Sequence, residues 1–244
     1  MRTDYDIIVV GGGMVGATFA CLLGHTPLRI GVIEAKRPHL PWPRTDFDNR
    51  VSAITRATER VFRAVGAWEG MAARRVQSYE RMHVWDATGS GAIHFDAADL
   101  AEPNLGYIVE NEVIWATLLD RMAQLENVTL ISPARVDSLD LQPAHATLKL
   151  DDGRAFTARL IVGADGSRSW VRAQANIEAH GWPYEQTAVV ATVKTAKHHQ
   201  EACWQRFLPT GPLAFLPLPD GYSSIVWSTT PEQAEELMAM EEPV

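Results

Sequence analysis

The feature that most constrains the fold is a glycine-rich stretch near the N-terminus, set between two short apolar runs. Residues 5–34 read YDIIVVGGGMVGATFACLLGHTPLRIGVIE. The run 7–10 predicts a strand that is buried on both faces, as in a parallel sheet. Residues 14–23 have helical character, and Gly24 and Pro27 are helix-stop signals before a second predicted strand. The stretch therefore predicts a strand, turn, helix and strand in the order of a βαβ unit.

The glycines of this stretch fall in the register G-x-G-x-x-G at Gly11, Gly13 and Gly16, and Glu34 follows about 20 residues further on. Gly11 permits the tight turn, Gly13 lets the backbone approach a pyrophosphate, and Gly16 lets the helix pack close to the strand. The helix N-terminus offers unpaired N–H groups to phosphate, and Glu34 can accept hydrogen bonds from ribose hydroxyls. The pattern predicts a dinucleotide site and does not separate NAD from FAD.

Composition excludes several other classes of protein. The 244 residues carry a formal net charge of −8, which argues against a nucleic-acid interface that needs clustered Lys and Arg. Cys21 and Cys203 lie far apart in the sequence, so we do not expect a disulfide framework. We expect the protein to reside in a reducing compartment. Asp4 and Asp6 lie where a secretory signal peptide would have a basic region followed by an apolar core. No apolar run approaches the length that is needed to span a membrane. We predict a cytoplasmic protein.

The middle of the chain alternates between helical and strand patterns. A polar, proline-bearing connection at 35–49 ends at Arg50, which we place just before a predicted helix that includes Ile54. A guanidinium there can reach phosphate, although Arg50 taken alone fits a surface arginine equally well. Two alternating runs around a Gly-Ser-Gly turn then predict a β-hairpin. Asn111 lies at the start of an amphipathic helix in which we include Val109, and its type suits helix initiation.

The stretch RLIVGADGSRSWVR at 159–172 runs from a strand pattern directly into Asp165 and Gly166 and then into a helix-like start. A plain turn with a serine helix cap explains the pattern without any ligand. From residue 184 to residue 230 the pattern is of strands only, with a turn at 219–221, which predicts an antiparallel sheet.

Five stretches together carry a resemblance to a known family. They are DIIVVGGGMVGATFACLL with Glu34, DNRVSAIT, YIVENEVIWATLL, VGADGSRSWVR and RFLPTGPLAFLPLPDGYSSIVWS. The chain resembles the flavin-dependent aromatic hydroxylases of the para-hydroxybenzoate hydroxylase type, and more narrowly the subfamily that hydroxylates polyprenylphenol precursors of ubiquinone. The resemblance implies an α/β fold in which a Rossmann-like FAD-binding βαβ domain is interleaved with a β-rich antiparallel substrate domain.

The resemblance also implies a division of the chain. Residues 1–78 and 107–180 would form the two FAD-binding parts, 79–106 a hairpin of the substrate domain, and 181–244 its antiparallel sheet. The family has a further Gly-Asp segment and a helical region downstream, which this sequence does not contain. We therefore expect a piece of a longer protein with its C-terminal part missing, and a short natural protein with an incomplete flavin site stays open.

The resemblance assigns cofactor contacts and a reaction. Arg50, Asn111, Asp165 and Gly166 become FAD contacts, with Asp165 as a ligand-facing carboxylate in a second cofactor loop. NAD(P)H is the transient reductant, and a flavin hydroperoxide formed with O₂ transfers one oxygen to a phenol. The sequence does not identify a catalytic residue or a metal site. Three histidines are candidates in type only, and we expect them to be solvated: His94, His198 and His199.

Three interpretations of function stay open at this point. The first is the monooxygenase acting on a quinone precursor, with peripheral contact at the inner face of the membrane or with a quinone-biosynthesis complex. The second is another FAD-binding oxidoreductase, such as a reductase or halogenase, because the glycine pattern is shared widely. The third is a non-catalytic fragment or assembly subunit of a quinone-biosynthesis complex. Apolar side chains after residue 200 would line a substrate pocket or form the core of the sheet.

Overall fold

The structure is a computed structural model that describes residues 2–36 and 42–240. The chain divides into two compact units. The first unit comprises Met1–Pro43, Val61–Met71 and Glu112–His180, and the second comprises Arg44–Arg60, Ala72–Asn111 and Gly181–Val244. The chain thus passes between the units several times, as an interleaved fold requires. The four-part division proposed from the sequence stays a prediction.

The first unit is built on a six-stranded sheet in which four parallel strands continue into two antiparallel ones. In spatial order its strands are β8 (Val128–Ile131), β2 (Ile30–Ile33), β1 (Tyr5–Val10), β11 (Ala155–Gly163), β10 (Ala146–Leu150) and β9 (Val136–Leu141). The predicted βαβ unit is confirmed, because helix α1 (Met14–Leu22) connects β1 to β2 and these two strands pair in parallel. The fold class expected from the sequence is the one observed.

Apolar side chains explain why β1 and β2 lie inside this sheet. Ile8, Val9, Ile30 and Val32 are fully buried, as expected for strands covered on both faces. Each such side chain contributes about 1.5–3 kcal/mol of burial free energy. The short helix α5 (Trp170–Gln174) follows β11, and its Val171 packs into the same core.

The second unit contains two sheets. A six-stranded sheet has the order β12 (Thr187–Lys194), β15 (Tyr222–Thr229), β14 (Gly211–Pro217), β13 (Ala202–Leu208), β5 (Arg81–Asp86) and β6 (Ala92–Asp96). A three-stranded antiparallel sheet has the order β3 (Val51–Thr55), β7 (Gly106–Glu110) and β4 (Gln77–Tyr79). The predicted hairpin of β5 and β6 and the strand-only region after residue 184 are confirmed. One pairing departs from a purely antiparallel sheet, since β13 runs parallel to β5.

The remaining α-helices lie between strands, except for the last one, which follows β15. They are α2 (Arg56–Ala64), α3 (Trp68–Arg74), α4 (Asn111–Ala123) and α6 (Pro231–Ala239). Two boundaries predicted from the sequence are wrong. Arg50 precedes strand β3 and not a helix, and Val109 lies in strand β7. The apolar residues of these segments have helical spacing, but β3 and β7 pair as antiparallel strands, and this tertiary pairing overrides the local pattern. No helix within the described ranges is long and apolar enough to span a membrane.

Candidate cofactor site

The glycine loop forms the edge of the first unit at which its parallel strands end. Gly11 adopts a φ of +101°, and a Cβ there would lie only 2.6 Å from the carbonyl carbon of Ala164. A Cβ at Gly16 would fall on the carbonyl oxygen of Gly11, so that only glycine lets α1 start this close to the loop. Gly11 therefore permits the tight turn and Gly16 permits the close packing of α1, as their spacing in the sequence predicts.

Gly13 is different from its two neighbours in the motif. Its φ of −69° is open to any residue, and a Cβ built there meets no heavy atom within 4 Å. Gly13 is also the N-cap of α1, and no side chain caps that helix end. Open space thus lies beside Gly13 at the positive end of the helix dipole, where a pyrophosphate can approach.

Glu34 stands directly after β2 and is held beside the loop. Its Oε2 accepts the Gly12 N–H at 2.9 Å, and its Oε1 accepts the Lys36 N–H at 2.9 Å. Each carboxylate oxygen can accept a further hydrogen bond, because an ionised carboxylate offers about four acceptor positions. The half-buried side chain is therefore fixed in place with acceptor capacity left for a hydroxyl.

The Asp-Gly segment follows β11, which is the neighbour of β1 in the sheet. The two Asp165 oxygens accept hydrogen bonds from the Ser169 hydroxyl and from the backbone N–H groups of Trp170 and Val171, at 2.6 and 3.1 Å for the latter two. Burial alone would raise the pKa of Asp165, but these hydrogen bonds outweigh it and hold the pKa below its ordinary value. Asp165 is thus occupied in capping α5, and its ligand-facing role stays a prediction. Gly166 has a φ of +88° and open space around its Cβ position.

Arg50 and Asn111 are neighbours within the second unit. The Asn111 N–H donates to the Arg50 carbonyl at 2.9 Å, and the Asn111 Oδ1 accepts from the Ser52 hydroxyl at 2.7 Å. Arg50 is exposed, whereas Asn111 is half-buried at the start of α4. The structure therefore brings the predicted residues together in two groups, one in each unit.

A buried ion pair that the sequence did not single out supports the group in the second unit. Arg75 and Glu110 form two hydrogen bonds, Nε to Oε2 at 2.6 Å and Nη2 to Oε1 at 3.0 Å, with side chains only 13% and 5% exposed. Glu110 also accepts the Asp48 N–H at 2.7 Å, and Arg75 donates to the Asp46 carbonyl at 2.7 Å. The pair thus fastens the chain just before Arg50 to the strand that ends beside Asn111. No sequence spacing signals it, because the partners are 35 residues apart.

The histidines named from the sequence have structural contacts. His199 was expected to be solvated, and that expectation is wrong: it is buried, its Nδ1 accepts the Glu201 N–H at 3.0 Å, and its Nε2 lies 2.9 Å from the Leu218 carbonyl. His198 is exposed, and its Nδ1 accepts the Gln200 N–H at 2.9 Å. His94 is exposed and pairs with His83 across the β5–β6 hairpin, with 2.6 Å between their Nδ1 atoms. Among the described residues, no three His, Cys, Asp or Glu side chains converge on a possible metal position.

Both cysteines are free and buried. Burial raises the pKa of the Cys21 thiol to about 11 and that of the Cys203 thiol to about 12. Both side chains are therefore neutral core residues at physiological pH. Of the apolar side chains after residue 200, Leu216 packs into the core of the second unit, whereas Trp204 and Phe207 are 38% and 45% exposed.

The sequence model of the FAD binding domain family matches residues 4–242 of the chain. The chain belongs to this family. Proteins similar to it include the ubiquinone biosynthesis monooxygenase COQ6 of Xenopus tropicalis, which is 39% identical over an alignment of 256 positions that covers 98% of this chain and 54% of that protein. The 3-demethoxyubiquinol 3-hydroxylase of Escherichia coli K12 is 35% identical over 96% of this chain and 60% of that protein. The chain spans little more than half the length of these family members.

Solved structures agree with the fold. The chain is similar to pqsL, a probable FAD-dependent monooxygenase from Pseudomonas aeruginosa, with a TM-score of 0.80 and 23% identity, over 96% of this chain and 63% of that one. It is also similar to the p-nitrophenol 4-monooxygenase PnpA from Pseudomonas putida DLL-E4, with a TM-score of 0.80 and 20% identity, over 98% of this chain and 61% of that one. The residues of the glycine loop fit the family cofactor, because Gly13 and the uncapped end of α1 leave space and donors for its pyrophosphate.

Proposed function

We propose that the full protein is an FAD-dependent monooxygenase that hydroxylates the aromatic ring of a ubiquinone precursor, with NAD(P)H as transient reductant and O₂ as oxidant. The observation that carries the proposal is the identity of 35–39% to two enzymes of ubiquinone biosynthesis over at least 96% of this chain. That identity covers both units and not the glycine loop alone. It favours this activity over a reductase or halogenase that shares only the loop.

The residues of the first unit would bind the nucleotide half of the cofactor. Gly13 and the N-terminus of α1 donate backbone hydrogen bonds to the pyrophosphate, and their positive dipole end offsets its charge. Glu34 accepts from a ribose hydroxyl with the lone pairs that Gly12 and Lys36 leave free. Asp165 orders the segment that presents Gly166, where the open space around its Cβ position permits close approach.

The second unit carries two further predicted cofactor contacts. Arg50 supplies an exposed cation, and Asn111 is oriented by Ser52 beside it. When bound, FAD supplies the redox and oxygen-transfer chemistry, whereas the protein binds and orients the reactants and excludes water. A catalytic base is not assigned to any residue.

The aromatic face of the six-stranded sheet in the second unit would contact the ring of the substrate. Trp204, Phe215 and Ile225 are register partners on three adjacent strands, and His83 stacks on Trp204 at 4.4 Å between ring centroids. Such a surface suits a flat, apolar phenol with one polar edge.

The proposal extends to where the protein works. A substrate with an isoprenoid tail resides in a membrane, so we propose a cytoplasmic protein that makes peripheral contact with the inner face of a membrane or with a quinone-biosynthesis complex. The side chains of Trp182 and Tyr184, 75% and 80% exposed, supply aromatic surface of the kind that favours a membrane interface. Sedimentation of the protein with and without phospholipid vesicles tests this part of the proposal.

The decisive experiment follows oxygen from O₂ into product. A protein that carries this chain and extends to the length of its relatives is incubated with FAD, NADH or NADPH, a prenylated phenol and ¹⁸O₂, and the product is analysed by mass spectrometry. One ¹⁸O atom in the aromatic product, with reductant consumption that depends on the phenol, supports the proposal. Reductant consumption without oxygen insertion would favour a reductase, a halogenated product with added halide would favour a halogenase, and no turnover would favour an assembly role.

A further inference from the structure

The peptide between Gly12 and Gly13 is held by a side chain that lies outside the glycine motif. The indole N–H of Trp115, in α4, donates a hydrogen bond to the Gly12 carbonyl at 2.7 Å. On the other side of the same residue, the Gly12 N–H donates to Glu34 at 2.9 Å. The Gly11 N–H donates to the Ile33 carbonyl at 2.8 Å. Gly12 is thus fastened through both its donor and its acceptor.

The indole hydrogen bond sets the direction of the next N–H group. A trans peptide is planar, and its C=O and N–H bonds point to opposite sides. Because the Gly12 carbonyl points at Trp115, the Gly13 N–H points away from the indole. Gly13 is the N-cap of α1, has no side-chain cap, and would place a Cβ in open space. The contact with Trp115 thus determines whether this N–H can serve as a donor for a ligand.

The two glycines make such a contact necessary. Neither residue has a Cβ that would restrict rotation of the peptide plane, so its orientation depends on the hydrogen bonds that it makes. A rotated plane would turn the Gly13 N–H towards the indole and leave the carbonyl facing the ligand side. A carbonyl oxygen there would repel a pyrophosphate.

We propose that Trp115 is a positioning residue for the cofactor, which fixes the Gly12–Gly13 peptide so that the Gly13 N–H is directed at the FAD pyrophosphate. This inference rests on the proposed FAD site. A purely structural role would need only the ring of Trp115 as filling for the first unit. The indole N–H is what separates the two roles, and Trp115→Phe removes it while it keeps an aromatic ring.

The first test needs no cofactor. Hydrogen exchange is measured by NMR on the 244-residue chain, wild type and W115F. In the wild type, the Trp115 indole hydrogen should exchange about tenfold or more slowly than that of the exposed Trp182, since a hydrogen bond that must open first protects it. In W115F, the Gly12 amide should exchange faster while the Gly11 amide, bonded to Ile33, stays unchanged. An unprotected Trp115 indole, or an unchanged Gly12 amide in W115F, would overturn the inference.

The second test measures binding of FAD and of ADP by fluorescence titration. W115F should bind both about 3- to 10-fold more weakly, the loss expected for one neutral hydrogen bond. Trp68→Phe is the matched control, because it removes an indole from the same unit and the Trp68 ring lies beneath the Arg63 guanidinium. Equal affinity of W115F and wild type would contradict the inference.

The two tests separate the inference from the function on which it rests. If the wild-type chain binds neither FAD nor ADP, the proposed cofactor site fails, and the exchange rates still decide whether Trp115 fixes the peptide. If W115F does not fold, the protection of the Trp115 indole in the wild type decides the question alone. Saturating ADP should then slow its exchange further, because a ligand that binds the closed loop stabilises it. Unchanged exchange with bound ADP would refute the positioning role.

Discussion

At the scale of single residues, the carboxylate of Glu34 makes two kinds of contact. It holds the glycine loop through Gly12, and it has acceptor capacity left for a ribose hydroxyl. Glu34→Ala should weaken FAD binding by about 2 kcal/mol, since hydrogen bonds to a charged group are lost. Glu34→Gln keeps one oxygen acceptor and should lose less. Titration of both variants with FAD measures the difference, and unchanged affinity of Glu34→Ala would show that the residue is not a cofactor contact.

His199 makes the stability of the second unit depend on pH. Its burial is the main cause that lowers its pKa from the ordinary value of 6.5, and its Nδ1 must stay unprotonated to accept the Glu201 N–H. The unfolded chain therefore binds a proton more readily than the folded one. The stabilisation is present above pH 6.5 and is lost as the pH falls through that value towards the lower folded pKa.

His199→Gln cannot titrate and should remove this dependence. We expect the free energy of unfolding of the wild type to fall more steeply than that of the variant between about pH 7 and pH 5. Denaturant unfolding of both proteins across that range measures the slopes. His180→Gln is the control, because it removes an exposed histidine that belongs to the other unit. Parallel slopes for wild type and His199→Gln would contradict the assignment.

At the scale of elements, the Arg75–Glu110 pair joins β7 to the segment that leads into β3. Arg75→Met leaves a buried, unpaired carboxylate and should destabilise the protein by about 3 kcal/mol. The double variant Arg75→Met/Glu110→Gln should recover part of that loss, because no charge stays buried. Arg63→Met breaks the exposed pair with Glu69, 49% and 70% exposed, and should cost less than about 1 kcal/mol. Denaturant unfolding of the three variants measures their free energies of unfolding. A larger loss of stability for Arg63→Met than for Arg75→Met would contradict the prediction.

The elements also show what the sequence could predict. The βαβ unit was predictable because Gly11 and Gly16 combine spacing with a run of buried apolar residues, a local pattern. Strands β3 and β7 were missed in part, because their pairing partners are about 55 residues apart and their apolar spacing also fits a helix. Separation in sequence also hides the contact of Trp115 with Gly12, 103 residues apart, and the Arg75–Glu110 pair, 35 residues apart, because both form only when the chain folds.

At the scale of the whole molecule, the predicted cofactor contacts are divided between the two units of an interleaved chain. Two of the passages between units lie near predicted contacts: Arg50 lies in the second unit shortly after Pro43, and Asn111 is the last residue before the chain returns to the first unit. The chain spans 54% and 60% of the length of the two relatives.

The most direct measurement is the visible absorption spectrum of the purified chain after incubation with FAD and removal of free cofactor. The account predicts retained flavin absorbance in the wild type and its loss in Gly13→Val. That variant should fold normally, because the φ of −69° suits any residue and the space around Gly13 is empty until a pyrophosphate fills it. Circular dichroism confirms that both proteins are folded. A folded wild-type chain without flavin, or a Gly13→Val variant that retains as much flavin as the wild type, would contradict the proposed site.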